Sequence, residues 1–327
     1  MKRILVISTD WSGLVTPIVS EIRDQGNEVD YIDHGLLSNF QYYGLFNKLQ
    51  SKVNNVLSDY SYKKKRTEEQ ITCTLLGFFH CREKYDAIIF TNPDIFNDEH
   101  FTIFREHASK LILNLWDSLE RMPRNIKVID KFDVALSFEP LDCDKYGLVS
   151  IANYIPPSES KITNEGDYEY DVFSIMSFCK VRYKKLLRFL DENPHIKSKN
   201  LVYIDNERKK KLVKDKRVTL INKPIFNEEL KSYVKKSRSI LDVGYDNQKG
   251  LSFRIFESLA WEKKIITTNE FVKCFDFYNY HNIFCVDSIS YSVSSDFFSS
   301  DYQSIPSEVI DAYRLKNWVI RLMSYIK

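Results

Sequence analysis

Short apolar runs alternate with segments of helical periodicity, first before and then after a polar break, and this pattern constrains the chain more than any other feature. Arg3 to Ser8 is a β-branched run, and Leu14 to Gln25 then places Leu14, Ile18 and Ile22 at helical spacing before a second run at Glu28 to Ile32. Asp86 to Phe90, Lys110 to Leu115 and Phe132 to Ser137 continue the series. From Ile155 to Tyr168 the texture changes to IPPSESKITNEGDY, with paired prolines, serines and a glycine. Beyond it the alternation resumes. Strands are expected at Asp171–Ser177, Leu201–Ile204, Val218–Ile221, Ser239–Val243, Lys264–Thr267 and Ile283–Val286. Helices are expected at Arg182–Asn193, after an Asn227 cap followed by Glu228 and Glu229, at Ser252–Trp261, and from Pro306 almost to Lys327. Such alternation predicts an α/β chain of two Rossmann-like domains, each a parallel sheet covered on both faces. The boundaries read 1–155, 168–305, and a terminal helix 306–327 placed to cross back to the first domain.

At 327 residues and 43% hydrophobic content, the chain can bury two cores. Lys plus Arg number 47 against 45 Asp plus Glu, and a net charge of +2 gives no global field that would gather nucleic acid. The six cysteines, Cys73, Cys81, Cys143, Cys179, Cys274 and Cys285, form no CxxC pair and no framework, so buried, reduced thiols are expected. The opening MKRILVIST reads as a first strand and not a leader, and no stretch approaches the roughly 20 apolar residues of a membrane span. Together these predict a cytoplasmic protein. Gln41 to Thr72 is polar and carries Lys63-Lys64-Lys65-Arg66, which reads as a helical excursion with a basic end. That run, Lys209–Lys211 and Lys235–Arg238 are the places where peripheral contact with the cytoplasmic membrane face would form, although such runs more often solvate a surface.

The segment that carries chemistry is Leu241 to Asn269, LDVGYDNQKGLSFRIFESLAWEKKIITTN. A loop ending at Gly250 before a helix offers unpaired backbone amides and the positive end of the helix dipole to a phosphate. Ser252 is placed to cap that helix or donate to the same anion, and Arg254 presents a planar guanidinium to the oxygens of a diphosphate. Glu257, three residues on, shares the face of Arg254 and is placed to accept both hydroxyls of a ribose. A solvated Arg–Glu ion pair is the plainer alternative.

This segment resembles the C-terminal signature of GT-B glycosyltransferases, in which a Gly-rich turn holds the donor diphosphate and a Glu in an F-E-[SA]-L-A-like helix holds the ribose. The matching residues are Gly250, Phe256, Glu257, Ser258, Leu259 and Ala260. More narrowly, Gln248-Lys249-Gly250-Leu251-Ser252-Phe253-Arg254, then Ile266-Thr267-Thr268-Asn269, Asp276-Phe277-Tyr278-Asn279 and Asn282-Ile283, are similar to bacterial lipopolysaccharide and capsular polysaccharide biosynthesis proteins of that fold. Leu115-Trp116-Asp117-Ser118 and Phe138-Glu139-Pro140-Leu141-Asp142 match their N-terminal half. Many retaining relatives carry two glutamates, but the position eight before Glu257 is Lys249, so the stereochemical outcome stays open.

The resemblance implies two domains facing a cleft and a glycosyl transfer from a nucleotide-diphosphate sugar to a surface polysaccharide or lipid-linked oligosaccharide. It implies no cofactor besides the donor substrate and no metal. Donor contacts would come from Lys180, Arg182, Gln248, Gly250, Leu251, Ser252, Arg254 and Glu257. A base near the acceptor would come from the first domain, with Asp117 at a strand end ranked ahead of Asp10 and Glu139; each of these is equally a turn or cap residue. Asp142-Cys143-Asp144 formally matches a metal-holding DxD triplet but is expected by chance at this composition. Two other classes stay open: a non-catalytic nucleotide-sugar or glycan-binding assembly partner, and a nucleotide-sugar epimerase.

Overall fold

The computed structural model describes residues 1–10, 13–37, 62–157, 161–162 and 168–326. The chain divides into two compact units. Met1–Phe138, Asp142–Ile151 and Val319–Lys327 form the first, and Glu139–Leu141 with Ala152–Trp318 the second.

The first unit is built on strands β1 (Arg3–Ser8), β2 (Glu28–Asp33), β3 (Tyr85–Phe90), β4 (Ala108–Leu115), β5 (Val134–Ser137) and β6 (Val149–Ser150). They pair in parallel in the order β2-β1-β3-β4-β5-β6. Helices α1 (Val15–Asp24), α2 (His34–Leu37), α3 (Tyr62–Phe79) and α4 (Asp98–His107) lie in the connections from β1 to β4. The strands are near-continuous apolar runs because both faces are covered, and Ile4, Leu5, Ile7, Ile88 and Phe90 are all buried. The core is dominated by aromatic rings packed mostly edge to face, with Phe90 against Phe96, Phe104 and Phe132 at centroid separations of 5.8, 5.0 and 5.3 Å. Of the predicted basic excursion, residues 41–61 lie outside the described residues; Lys64, Lys65 and Arg66 are exposed on α3.

Helix α4 begins with a capping box in which an imidazole replaces the usual Glu. The Asn97 side chain accepts the His100 amide at 3.1 Å, and His100 Nδ1 accepts the Asn97 amide at 3.1 Å. Acceptance at Nδ1 leaves the ring proton on Nε2, which faces the Glu68 carbonyl at 3.3 Å and the Thr72 hydroxyl at 3.1 Å. Burial lowers the pKa of His100 and likewise that of His34. A base whose folded pKa lies below its unfolded one leaves the unfolded chain binding more protons in acid. Its stabilisation is therefore complete above the unfolded value of about 6.5 and is lost as pH falls below it. The denaturation midpoint is expected to drop between pH 7 and pH 5.5, and His100→Gln, which keeps a side-chain acceptor for the Asn97 amide, is expected to flatten part of that drop; an unchanged slope would remove His100 from the account.

The second unit contains β7 (Tyr170–Ser177), β8 (Ser198–Tyr203), β9 (Val218–Ile221), β10 (Ser237–Asp242), β11 (Lys264–Thr267) and β12 (Ile283–Cys285). All pair in parallel, in the order β12-β11-β10-β7-β8-β9. Counted from β7, the sequence 3-2-1-4-5-6 is that of the Rossmann fold. Its principal helices are α5 (Lys180–Glu192), α6 (Asn227–Lys235), α7 (Phe253–Trp261) and α8 (Ser307–Tyr313).

Three local expectations need correction. Phe226 holds the cap position of α6, and Asn227 is its first helical residue. The terminal helix is two helices, α8 and α9 (Leu315–Ser324), broken at Arg314, which adopts an extended conformation. The break has a tertiary cause: the Ile155 amide donates to the Tyr313 carbonyl at 2.8 Å, and Ile155 forms a parallel bridge with Arg314. Among the described residues no thiol is disulfide-bonded, but none is fully buried either; Cys73, Cys81 and Cys274 are exposed and the other three half-buried. No helix among the described residues is long and apolar enough to cross a membrane.

Candidate functional site

In a sheet of the order found in the second unit, the chain reverses direction of travel between β7 and β10, and ligands of such sheets lie outside the carboxyl ends at that point. The segments leaving those two strands meet there. Helix α5, opening at Lys180 just after β7, sends Arg182 and Lys185 to the loop that follows β10. Arg182 Nε donates to the Val243 carbonyl at 2.6 Å, and its guanidinium stacks over the Tyr245 ring with its carbon 5.0 Å from the centroid. Among the described residues no protein group receives its two Nη nitrogens. Lys185 Nζ donates to the Gly244 carbonyl at 3.1 Å and pairs with Asp246 at 2.7 Å. Lys180 is exposed at the helix start.

The loop from Val243 to Ser252 is also held from the β11 side. The Gly244 amide donates to Thr268 Oγ1 at 2.8 Å, and Asn269 Nδ2 donates to the carbonyls of Lys249 and Gly250 at 3.1 and 3.3 Å. Gln248 Nε2 closes the loop on the Gly250 carbonyl at 3.0 Å. Leu251 points into the core, and its carbonyl accepts Asn153 Nδ2 at 2.9 Å.

One sequence expectation fails here. Ser252 occupies the cap position of α7 but makes no side-chain capping bond; its hydroxyl donates to Asp242 Oδ1 at 3.0 Å. The amides of Lys249 and Gly250, in the loop ahead of that helix, donate to the two carboxylate oxygens of Glu139 at 3.2 and 2.9 Å. Glu139 is 1% exposed and also accepts the Leu141 amide at 3.2 Å. The loop therefore selects an anion as its geometry demands, but the anion is the protein's own.

On α7, Arg254 and Glu257 form the ion pair that their spacing anticipates, Nη1 to Oε2 at 2.6 Å, with both side chains mostly buried. Burial raises the Glu257 carboxyl above its usual range, the Arg254 charge opposes the rise, and the Asp242 carboxylate adds to it. Asp242, at the end of β10, accepts both the Ser252 hydroxyl and Thr267 Oγ1, the latter at 3.2 Å. An acid so placed can accept from a vicinal diol, and a guanidinium beside it can face a negative charge.

The remaining candidates lie in the first unit. Both carboxylate oxygens of Asp10, just after β1, are engaged with the start of α1, accepting the amides of Val15 at 2.7 Å and Thr16 at 2.9 Å and the Thr16 hydroxyl. Asp117, two residues beyond β4, is half-buried and, among the described residues, pairs with Arg121, one turn on. Asp142 of the DxD triplet accepts the Leu119 amide at 2.7 Å, and burial raises its pKa. Lys185, Asp242 and Asn269 were missed as site residues; Lys185 at i,i+3 from Arg182 carries a signal that helical spacing makes visible.

No protein-family model and no curated protein sequence matches the chain. Solved structures do. Sucrose-phosphate synthase from Thermosynechococcus elongatus superposes with a TM-score of 0.62 at 10% identity, covering 99% of this chain and 98% of that one. AviGT4, a glycosyltransferase of avilamycin A biosynthesis, gives 0.60 at 9% identity over 100% and 97%. HepE from Anabaena, solved with UDP and glucose, gives 0.58 at 10% over 100% and 99%. Two six-stranded parallel sheets with helices, matched over full length by these structures, define the fold as that of the GT-B glycosyltransferases. At such identities the likeness is one of fold.

Proposed function

We propose that the chain is a glycosyltransferase that takes a sugar from a nucleotide-diphosphate donor and passes it to a hydroxyl of a surface polysaccharide or lipid-linked oligosaccharide. The observation that carries the donor half is that Arg182, on the helix leaving β7, bonds to the loop leaving β10, and that the helix after this loop carries the Arg254–Glu257 pair. UDP in the Anabaena structure supports a nucleotide donor for this fold. The polysaccharide acceptor rests on the resemblance of the Gln248–Arg254 and Asp276–Asn279 segments.

In this reading the free Nη nitrogens of Arg182 and the guanidinium of Arg254 hold the diphosphate, with Lys180 adding charge from the rim. Their work grows as the glycosidic bond breaks, because charge then accumulates on the departing diphosphate. Glu257 accepts the ribose hydroxyls. Lys185 and Asn269 hold the loop in place without touching the donor. On the acceptor side Asp117 takes the proton, since Asp10 spends both oxygens on a helix start and Glu139 spends both on loop amides.

A panel of UDP-, GDP- and ADP-sugars tested by thermal shift should return one that stabilises the chain, by about 4 kcal/mol at a thousandfold excess over its dissociation constant. Arg182→Ala is expected to weaken that donor about 10- to 100-fold, the worth of one or two hydrogen bonds to a charged group, while the unliganded melting point stays within a few degrees. If every nucleotide sugar leaves the melting point unmoved, the donor assignment falls. Donor binding without acceptor-dependent release of the nucleotide would instead mark a non-catalytic binding partner, and product without acceptor an epimerase.

A further inference from the structure

At the opposite end of the second sheet, where β10 and β11 begin, lies a pocket of about 380 Å³ that the donor reading does not use. Lys264 and Thr267 are three positions apart along β11, so the two ends of that strand are about 10 Å apart. The chain enters the pocket through the end of α7. Glu262 takes a left-handed conformation with φ 50°, its amide bonds to the Leu259 carbonyl at 3.3 Å, and the Lys263 amide bonds to that of Ser258 at 2.9 Å. This reversal delivers two consecutive lysines, Lys263 and Lys264, inward, and both are buried.

The two differ in one respect. Lys264 Nζ is satisfied, donating to the Phe297 carbonyl and to the Ser300 hydroxyl, each at 2.7 Å, and to the Ser300 carbonyl. The side chain of Lys263, a residue 4% exposed, makes no hydrogen bond and no ion pair with any described residue; its ammonium lies over the Tyr168 ring, 4.8 Å from the centroid. A buried cation without a partner is costly, and it faces a cavity with room for one.

The other charges around the cavity fix its sign. Lys161 pairs with Glu262 at 2.5 Å, and Arg238 reaches Asp171 at 3.5 Å while its guanidinium lies over the Tyr168 ring, with its carbon 5.0 Å from the centroid. Four cations (Lys161, Arg238, Lys263, Lys264) and two carboxylates (Glu262, Asp301) line the space, so positive charge is in excess. The Tyr302 phenol, raised in pKa chiefly by burial and then by the Glu262 charge, stays protonated and can donate.

We propose that this pocket binds a small phosphate-bearing molecule, with Lys263 as the cation that receives the dianion and Arg238 and Tyr302 as further donors. The charge matches, the volume exceeds that of phosphate alone, and the side chains of Ile162 and Phe298 are suited to the organic part. The ligand brings Lys263 the counter-charge it lacks. Burial alone pushes the Lys263 ammonium down to about 8, so binding draws a proton onto the amine in mildly alkaline solution.

Calorimetric titration with inorganic phosphate and with phenyl phosphate tests this. The dissociation constant is expected to rise about tenfold per pH unit above about 8, where free Lys263 is neutral, and titrations at pH 8.5 in buffers of different ionisation enthalpy should show proton uptake. Lys263→Met should abolish binding, and Lys263→Arg should keep it while making it flat up to pH 9.5. Arg182→Ala, at the other end of the sheet, should leave it unchanged, which separates this site from the donor site. Phenyl phosphate binding tighter than inorganic phosphate marks a small-molecule ester as the ligand, and the reverse order overturns that part. Absence of binding at tens of millimolar, or binding indifferent to Lys263→Met, overturns the proposal.

Discussion

Glu139→Ala is expected to lower the stability of the second unit by about 3 kcal/mol or more, as read from denaturant midpoints at constant slope. The carboxylate is buried and accepts the amides of Leu141, Lys249 and Gly250. Truncation leaves three donors without an acceptor, of which the Gly250 amide is buried and the other two partly so, and a buried donor left unmade costs about 1–3 kcal/mol. Glu139→Gln retains one oxygen of the same reach, so it should recover roughly half the loss. A second consequence follows from the same bonds. With its internal anion gone, the 243–252 loop should become more mobile and nucleotide affinity should fall in Glu139→Ala, whereas a residue that only took a proton from an acceptor would leave affinity intact. Should Glu139→Ala keep full stability and full affinity while losing turnover, Glu139 is the base and its amide contacts are incidental.

Phe90→Ala is expected to cost about 3–5 kcal/mol in the first unit. Phe90 ends β3 with no exposure, and four other rings close on it, Phe96, Phe101, Phe104 and Phe132, the farthest at 6.3 Å between centroids. Removal of one ring deprives all four of an edge or face contact as well as opening a void. Phe90→Leu should cost well under half as much, because most of the volume remains. The check is chemical denaturation followed by near-ultraviolet dichroism, which reports the packed rings directly. A loss under about 1 kcal/mol for the alanine variant would mean that the neighbouring rings collapse into the space, and the cluster would then be softer than its packing implies.

Much of this architecture is legible in the sequence because parallel strands covered on both faces read as short, unbroken apolar runs. Arg3–Ser8, Val218–Ile221 and Lys264–Thr267 fall where those runs place them. The Arg254–Glu257 pair is legible for a related reason, since helical spacing alone brings i and i+3 together. What resists reading is long-range. Glu139 and Gly250 lie 111 positions apart, and nothing local in Phe138-Glu139-Pro140 says that its carboxylate will meet the amides of a distant loop. The break at Arg314 is of the same kind, because a helical pattern gives way to a backbone pairing with Ile155 that no window of sequence contains. The thiols were misread from their neighbours: Cys73 lies between Ile71 and Leu75, which are buried on α3 while Cys73 points outward, since two positions along a helix turn a side chain away from the face of the first.

The last residues of the chain belong to the unit that its first residues begin. Lys2 Nζ donates to the Ile326 carbonyl at 2.9 Å, Lys110 Nζ to that of Tyr325 at 3.2 Å, and Val319 and Leu322 are buried. During synthesis, then, the unit that Arg3–Ser8 opens waits for Val319–Ile326 before it can close, although the whole second sheet is made in between. A chain cut before Val319 is therefore expected to loosen the sheet that lies farthest from the cut in sequence.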